Sequence, residues 1–379
     1  MMKRSDQWKR FEEPTIFLMV FFLIFGVLGN RMGLANMLNT MMKTAYSLLI
    51  ETCFYLMAIC VLTSALGRLL GEFGVVSILE AILRPLMRPL YNLPGVAALG
   101  AVLTFLSDNP AIISLSKDVS FAKYFKKYQL VSLTNFGTAF GMGLVVVAFM
   151  ASQGFGTAAS IVLIGAVAGS IVSTRLMQYY TLKAHPSLDS DVEVKERVVT
   201  KEEAKERGVF LRVLNSLLDG GKMGVDLGLA IIPGVLIIST MVMMLTFGPS
   251  AQGQFTGAAY EGIKLLPNLA DKVDWLFAAL LGFHHTELIA FPITSLGAVG
   301  AALGIVPRFV HQGLIDGNAI AVFTAMGMCW SGYLSTHTAM LDSLGYRYLT
   351  TKAIGAHTIG GLVAGVVAHL AYVGLMAIF

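Results

Sequence analysis

The sequence predicts an all-α integral membrane protein with about seven transmembrane helices, two re-entrant hairpins and two interfacial helices, set in two inverted repeats. Three observations predict it. Hydrophobic residues make up 56% of the 379 residues and charged residues only 13%, where a soluble domain carries roughly 25%. Apolar runs of about 20 residues, the length that spans a bilayer, recur along the chain. Finally, an apolar run in each half is interrupted by a short polar knot, Ser107-Asp108-Asn109-Pro110 and His284-His285-Thr286-Glu287. The knots lie 285 − 108 = 177 residues apart, close to half the chain. Charged groups and unwound backbone are costly in a bilayer unless they face protein or water. Paired interrupted segments are the sequence mark of a transporter's binding site.

In chain order, residues 1–44 form an N-terminal segment with an extra membrane helix over 15–34, which lacks a small-residue cleavage site and reads as retained. The first repeat, 45–182, opens with a span over 45–70. An in-plane helix follows over 75–91, with Val75, Ile78, Leu79, Ile82 and Leu86 on one face and Glu80, Arg84 and Arg88 on the other; Pro85 and Pro89 predict a kink in it. The first hairpin then occupies 95–118, and spans follow over 131–151 and 157–182. A cytoplasmic linker, 183–222, carries closely balanced acidic and basic residues and reads as solvated. The second repeat, 223–379, repeats the order: a span over 223–247, an in-plane helix over 255–272, a hairpin over 275–304, and spans over 318–341 and 353–377.

Charge sets the orientation. With the N-terminus in the cytoplasm and both hairpins re-entrant, the outer loops hold only Arg31, Lys43, Lys264, Lys272 and Arg308 of the 27 Lys and Arg residues. The remaining 27 − 5 = 22 face the cytoplasm, as the positive-inside rule requires, and the C-terminus lies outside.

Several function classes are excluded. No Lys/Arg block is interleaved with aromatic residues, so no nucleic-acid surface is expected. No G-x-x-x-x-G-K-[ST] loop or H-E-x-x-H motif occurs, and no nucleophile–base pair has a readable spacing. The three cysteines, Cys53, Cys60 and Cys329, sit in apolar runs without metal-ligand spacing. The sequence therefore predicts neither an enzyme nor a resident metal, and the only bound cofactor in view is a Na⁺ ion.

Four constellations carry the candidate chemistry. Pro110 removes an N–H and turns the backbone at Asn109, presenting Asp108 and Asn109 at membrane depth as an ion-coupling and solute-contacting pair; alternatively Asp108 caps the helix that follows. His284, His285, Thr286 and Glu287 form a substrate-binding or proton-handling cluster, since His284 and Glu287 share a helix face. The other readings of this cluster are a hydrogen-bonded structural group and a divalent cation site. Thr134, Asn135 and Thr138, backed by Gly137, Gly141 and Gly143, offer ion ligands or simply helix packing. Thr324 and Ser331 add hydroxyls in the second-half span, with Ser335, Thr336 and His337 beyond them.

The SDNPAIISL and FHHTELIAFP hairpins, with the stretch LLDGGKMGVDLGLAIIPGVLIIST, resemble the nucleoside-recognition "Gate" membrane family, which includes spore-maturation proteins A and B. The whole chain looks like a YjiH-type and a YjiG-type protein joined in one polypeptide. The element order is also similar to concentrative nucleoside transporters. Their Asn-Phe-Ser-Ser type stretch is missing from the second-half span; the nearest look-alike is Thr134-Asn135-Phe136-Gly137-Thr138. The resemblance implies a homo-oligomer in a bacterial inner membrane. The expectation is a secondary transporter of a small polar solute, nucleoside-like or another metabolite, coupled to Na⁺ or H⁺. Its rivals are a non-transporting scaffold or sensor docked through the linker, and an intramembrane metal enzyme using the His284–Glu287 cluster.

With the native cysteines replaced, a single cysteine placed at the N-terminus should react with an impermeant maleimide only from the cytoplasmic face, and one at the C-terminus only from outside. Reaction of both from one side would remove the odd number of crossings.

Overall fold

The computed structural model describes residues 4–192 and 208–378, with side chains from residue 12 onward except at 162. The middle of the expected linker, 193–207, lies outside the described residues. Among these residues the chain is helical and contains no strand. Five segments are long and apolar enough to cross a membrane, or six if one bent pair is a single span.

Helix α1 (Arg4–Met32) is anchored at its C-terminal end, where Leu28 and Met32 pack on Met37 and Met244; Ile16 to Leu23 are exposed. Gly33, at φ 80°, turns the chain into α2 (Leu34–Ser47). That helix runs through a π turn, Leu48–Cys53, into α3 (Phe54–Glu72). Helix α4 (Val75–Leu86) is the expected amphipathic element; Ile78 and Ile82 are exposed and Arg84 pairs with Glu80 at 2.7 Å. Then come α5 (Ala97–Leu106) and α6 (Pro110–Lys117), packed on each other across the turn 107–109, which is the first expected hairpin. A single turn, α7 (Val119–Ala122), is capped by Asp118 and leads into α8 (Lys127–Thr138), α9 (Gly143–Met150) and the long α10 (Gly156–Ala184).

Helix α11 (Val209–Gly234) continues through a π turn into α12 (Thr240–Thr246). Short helices α13 (Leu265–Ala270) and α14 (Asp274–Leu281) precede α15 (Ala290–Gly297) and α16 (Val299–His311). The chain finishes with α17 (Gly317–Cys329), α18 (Tyr333–Ser343) and α19 (Thr350–Met376).

Three expectations change. The spans over 131–151 and 318–341 are not single helices. Each is two helices joined at a left-handed residue, Met142 (φ 54°) and Gly332 (φ 62°), where flanking glycines and a serine let the backbone unwind. The stretch 255–272 is not one in-plane helix. Gly257, Tyr260 and Lys264 all take positive φ, and Glu261 turns inward to accept hydrogen bonds from Thr256 and Gly257, so only Leu265–Ala270 is α-helical. The polar knot at 284–287 is a bend and not a tight packed turn: left-handed Gly282 ends α14, an extended His285 follows, and the flanking segments lie at 76° to each other. Within 275–304 the helices packed on each other across a short turn are α15 and α16, meeting at extended Ala298. Ala298 lies 298 − 108 = 190 residues after Asp108, and Gly332 lies 332 − 142 = 190 after Met142.

Two small-residue seams hold the bundle. Helices α10 and α19 approach so closely that a Cβ on Gly169 would overlap the Gly360 carbonyl. Helices α3 and α11 do the same, with Gly224 against the Cys60 carbonyl. Such close backbone approach is how helices associate in lipid, where hydrophobic burial gives no drive. Gly169→Leu or Gly224→Leu should each cost about 1–3 kcal/mol or more, read as a melting temperature in detergent lowered by several degrees. Gly26→Leu, where nothing lies within 4 Å of a new Cβ, should leave it unchanged; equal effects at all three sites would refute the seams.

Candidate functional site

A cavity of about 360 Å³ opens where the helix breaks meet. Asp108, Asn109 and Pro110 line it from the first hairpin apex, Gly297 to Ala301 from the second, Met142 from the α8–α9 break, and Ser331 and Gly332 from the α17–α18 break. Ser335 and Thr336 of α18 add two hydroxyls, and Leu227, Ala230, Ile231 and Gly234 of α11 form an apolar wall.

Local sequence explains each part. Pro110 occupies the first position of α6, where a missing N–H is harmless, and its ring keeps α5 from continuing. Gly141 lies so close to Asn109 that a Cβ there would strike the amide, and a Cβ on Gly332 would strike its Nδ2. The Asn109 side chain, 4% exposed, donates through Nδ2 to Ser331 Oγ at 3.2 Å, tying the first-half apex to the second-half break. The Oδ1 atoms of Asp108 and Asn109 are buried without a hydrogen-bond partner in the protein. Helices α16 and α18 begin at Ala298 and Gly332, which cap neither helix with a side chain. The start of α18 lies against Asn109, and its Tyr333 N–H donates to the Trp330 carbonyl at 3.1 Å. The first turn of α16, Val299 to Ala301, lines the cavity and brings the positive end of its helix dipole there. The cavity thus offers bare acceptors at Asp108 and Asn109 and uncapped donors at the start of α16.

The structure brings together Asp108, Asn109, Ser331, Ser335 and Thr336 and places the remaining candidates elsewhere. Thr134, Asn135 and Thr138 are fully buried inside the bundle, away from the cavity lining. Asn135 donates to Ser173 Oγ and to the Ala353 carbonyl, each at 2.9 Å. A carbonyl only accepts, so His357 donates through Nε2 to the Cys329 carbonyl, and its Nδ1 then accepts from Ser173. The result is a hydrogen-bonded chain crossing α8, α10, α19 and α17. Thr138 and Thr324 bond back to carbonyls of their own helices. His284, His285 and Thr286 line a separate crevice of about 210 Å³ with Asp274 and Trp275; both histidines are exposed, and Glu287 lines neither space. Among the described residues no group of three His, Cys, Asp or Glu side chains converges as a metal site.

Sequence reasoning missed the Gly297–Ala301 apex and the α11 wall. The apex carries no polar side chain, so its only trace is a run of small residues within an apolar stretch.

No family model matches the chain. Over 84 residues it is 34% identical to the uncharacterized protein BpOF4_10220 of Alkalihalophilus pseudofirmus, a segment covering 22% of this chain and 18% of that protein. The chain therefore matches under a fifth of that relative's length. Among solved structures it is similar to CNTnw, a concentrative nucleoside transporter, in an inward-facing substrate-bound state, with a TM-score of 0.54 and 14% identity over 83% of this chain and 74% of that one. A CNTnw variant in the intermediate 1 state gives a TM-score of 0.52 at 12% identity, covering 97% and 88%. The chain shares the fold of these proteins.

Losing one partner of the Asn109–Ser331 bond strands a buried polar group, at a cost of about 1–3 kcal/mol. Asn109→Ala and Ser331→Ala should each lower the melting temperature, and the double variant should lose less than the sum of the two. Strict additivity would refute the bond.

Proposed function

We propose that this chain is a secondary transporter that carries a small polar solute, a nucleoside or another metabolite, across the membrane by alternating access. The observation that carries the reading is the convergence of two hairpin apices and two helix breaks on one cavity holding a buried, unpartnered carboxyl oxygen. Interrupted helices that line a central cavity are how transporters expose backbone dipoles to solute and ion. The fold shared with CNTnw, seen in inward-facing and intermediate states, supports it. The shared spacing of 190 residues at the hairpin turns and at the broken helices supports a repeat. The Gate-type relationship, with a YjiH-like half joined to a YjiG-like half, belongs to the same reading and rests on the hairpin motifs.

In this mechanism Asp108 and Asn109 bind the solute or the coupling cation, Na⁺ or H⁺, and Ser331 holds Asn109 in place. The outer crevice of His284 and His285 lies outside the main site. The cytoplasmic N-terminus, the outward C-terminus and a homo-oligomeric assembly in an inner membrane complete the proposal.

Proteoliposomes loaded with the purified chain and offered labelled uridine or an amino-acid mixture, under a Na⁺ gradient or a pH gradient, test it. Uptake is expected under one of the two gradients. Asp108→Asn should abolish that uptake and His284→Ala should retain it; the reverse pattern would move the site to the outer crevice. No gradient-driven uptake of any class would overturn the transporter reading.

A further inference from the structure

The chemistry of the cavity walls narrows the solute, and this step rests on the transporter reading above. We propose that the solute is a small non-aromatic zwitterion, carrying an ammonium and a carboxylate, of the size of a simple amino acid.

Three observations lead there. First, the described residues lining the cavity include one carboxylate, no Lys, Arg or His, and no aromatic ring. A nucleobase would find no ring to stack on. Second, the bare acceptors lie together. Asp108 Oδ1 and the Oδ1 of Asn109, a residue only 4% exposed, are buried and lack protein donors, so this wall calls for a ligand that donates. Asp108 adds a negative charge that no residue of the lining neutralises. Third, uncapped donors lie at the start of α16. That helix is 13 residues long, and Val299, Gly300 and Ala301 of its first turn line the cavity without a side-chain cap. An Asp, Ser, Thr or Asn at the N-cap normally satisfies these N–H groups. Here Ala298 leaves them to whatever occupies the cavity, and carboxylates bind such ends well.

Each simpler ligand leaves one wall unsatisfied. A lone anion meets the Asp108 carboxylate. A lone amine leaves the α16 N-terminus without an acceptor. A zwitterion places its ammonium at Asp108 and Asn109 and its carboxylate at Val299–Ala301. The cavity volume, about 360 Å³, is at the small end of the range for ligand sites.

Calorimetry and thermal-shift measurements on the purified full chain test this with L-alanine, glycine, propionate, ethylamine and uridine. L-alanine and glycine should bind, with propionate and ethylamine weaker by at least about tenfold and uridine without effect. Asp108→Asn should weaken L-alanine by at least about tenfold. Ala298→Asp puts a carboxylate on the N-cap of α16, so it should hold or raise the melting temperature of the empty protein while losing L-alanine. That combination separates site loss from misfolding. Binding of uridine, equal binding of propionate or ethylamine, wild-type affinity in Ala298→Asp, or no binding by either amino acid would each overturn the proposal. The two readings fail apart: uridine flux would sink the zwitterion and keep the transporter, whereas L-alanine binding without flux of any solute would do the opposite.

Discussion

An unpaired N–H or carbonyl cannot face hydrocarbon, where each one costs several kcal/mol. The architecture follows from that constraint. Helix breaks at 107–109, 139–142, 298 and 330–332 leave backbone groups without helical partners, and each contributes residues to the one cavity; 139–142 are buried, whereas Ala298 and Gly332 are half-buried. Helices α10 and α19 pack beside α8 and α17, while α3 and α11 reach α9 and α16 from their own seam. The Asn109–Ser331 hydrogen bond crosses 222 residues of sequence to fix the first apex on the second break. A cavity is what remains when interrupted ends are gathered without enough side chains to fill the space between them.

Much of this was legible because interruption in lipid needs particular residues. Pro110 after Asp108-Asn109 marks the first apex, since proline both removes a donor and forbids the preceding helix. The α8–α9 break reads in the sequence as one continuous span over 131–151, because Gly141 and Gly143 serve close helix packing as readily as an unwound turn. The second apex was illegible for a physical reason. A turn can open onto a cavity through bare backbone instead of carrying a polar side chain, and exposed Gly297 with half-buried Ala298 takes that course. The polar knot at His284–Glu287, which sequence logic favours, instead tops an exposed connector. There Asn318 holds the Leu281 and Gly282 carbonyls, and His369 holds Asn318 in turn.

The same limit applies to lone polar residues. Asn135, Ser173 and His357 each read as an isolated group in an apolar helix. Only their assembly shows the donors running from Asn135 Nδ2 through Ser173 and His357 to the Cys329 carbonyl, with Asn135 Oδ1 left without a partner. A residue type at a spacing reports what a group can do; its partner, 38 residues away for Asn135–Ser173 and 184 for Ser173–His357, decides which of those things it does.

The glycine seams bear on how far such a chain can drift. Where two helices touch through bare backbone, the contact is written by the lack of a side chain, and many sequences share that lack. Lipid-facing positions ask only for greasiness. Hence a fold can persist at 12–14% identity, provided a few narrow places stay small. Likeness of fold in proteins of this kind is recorded in spacing and in emptiness more than in letters.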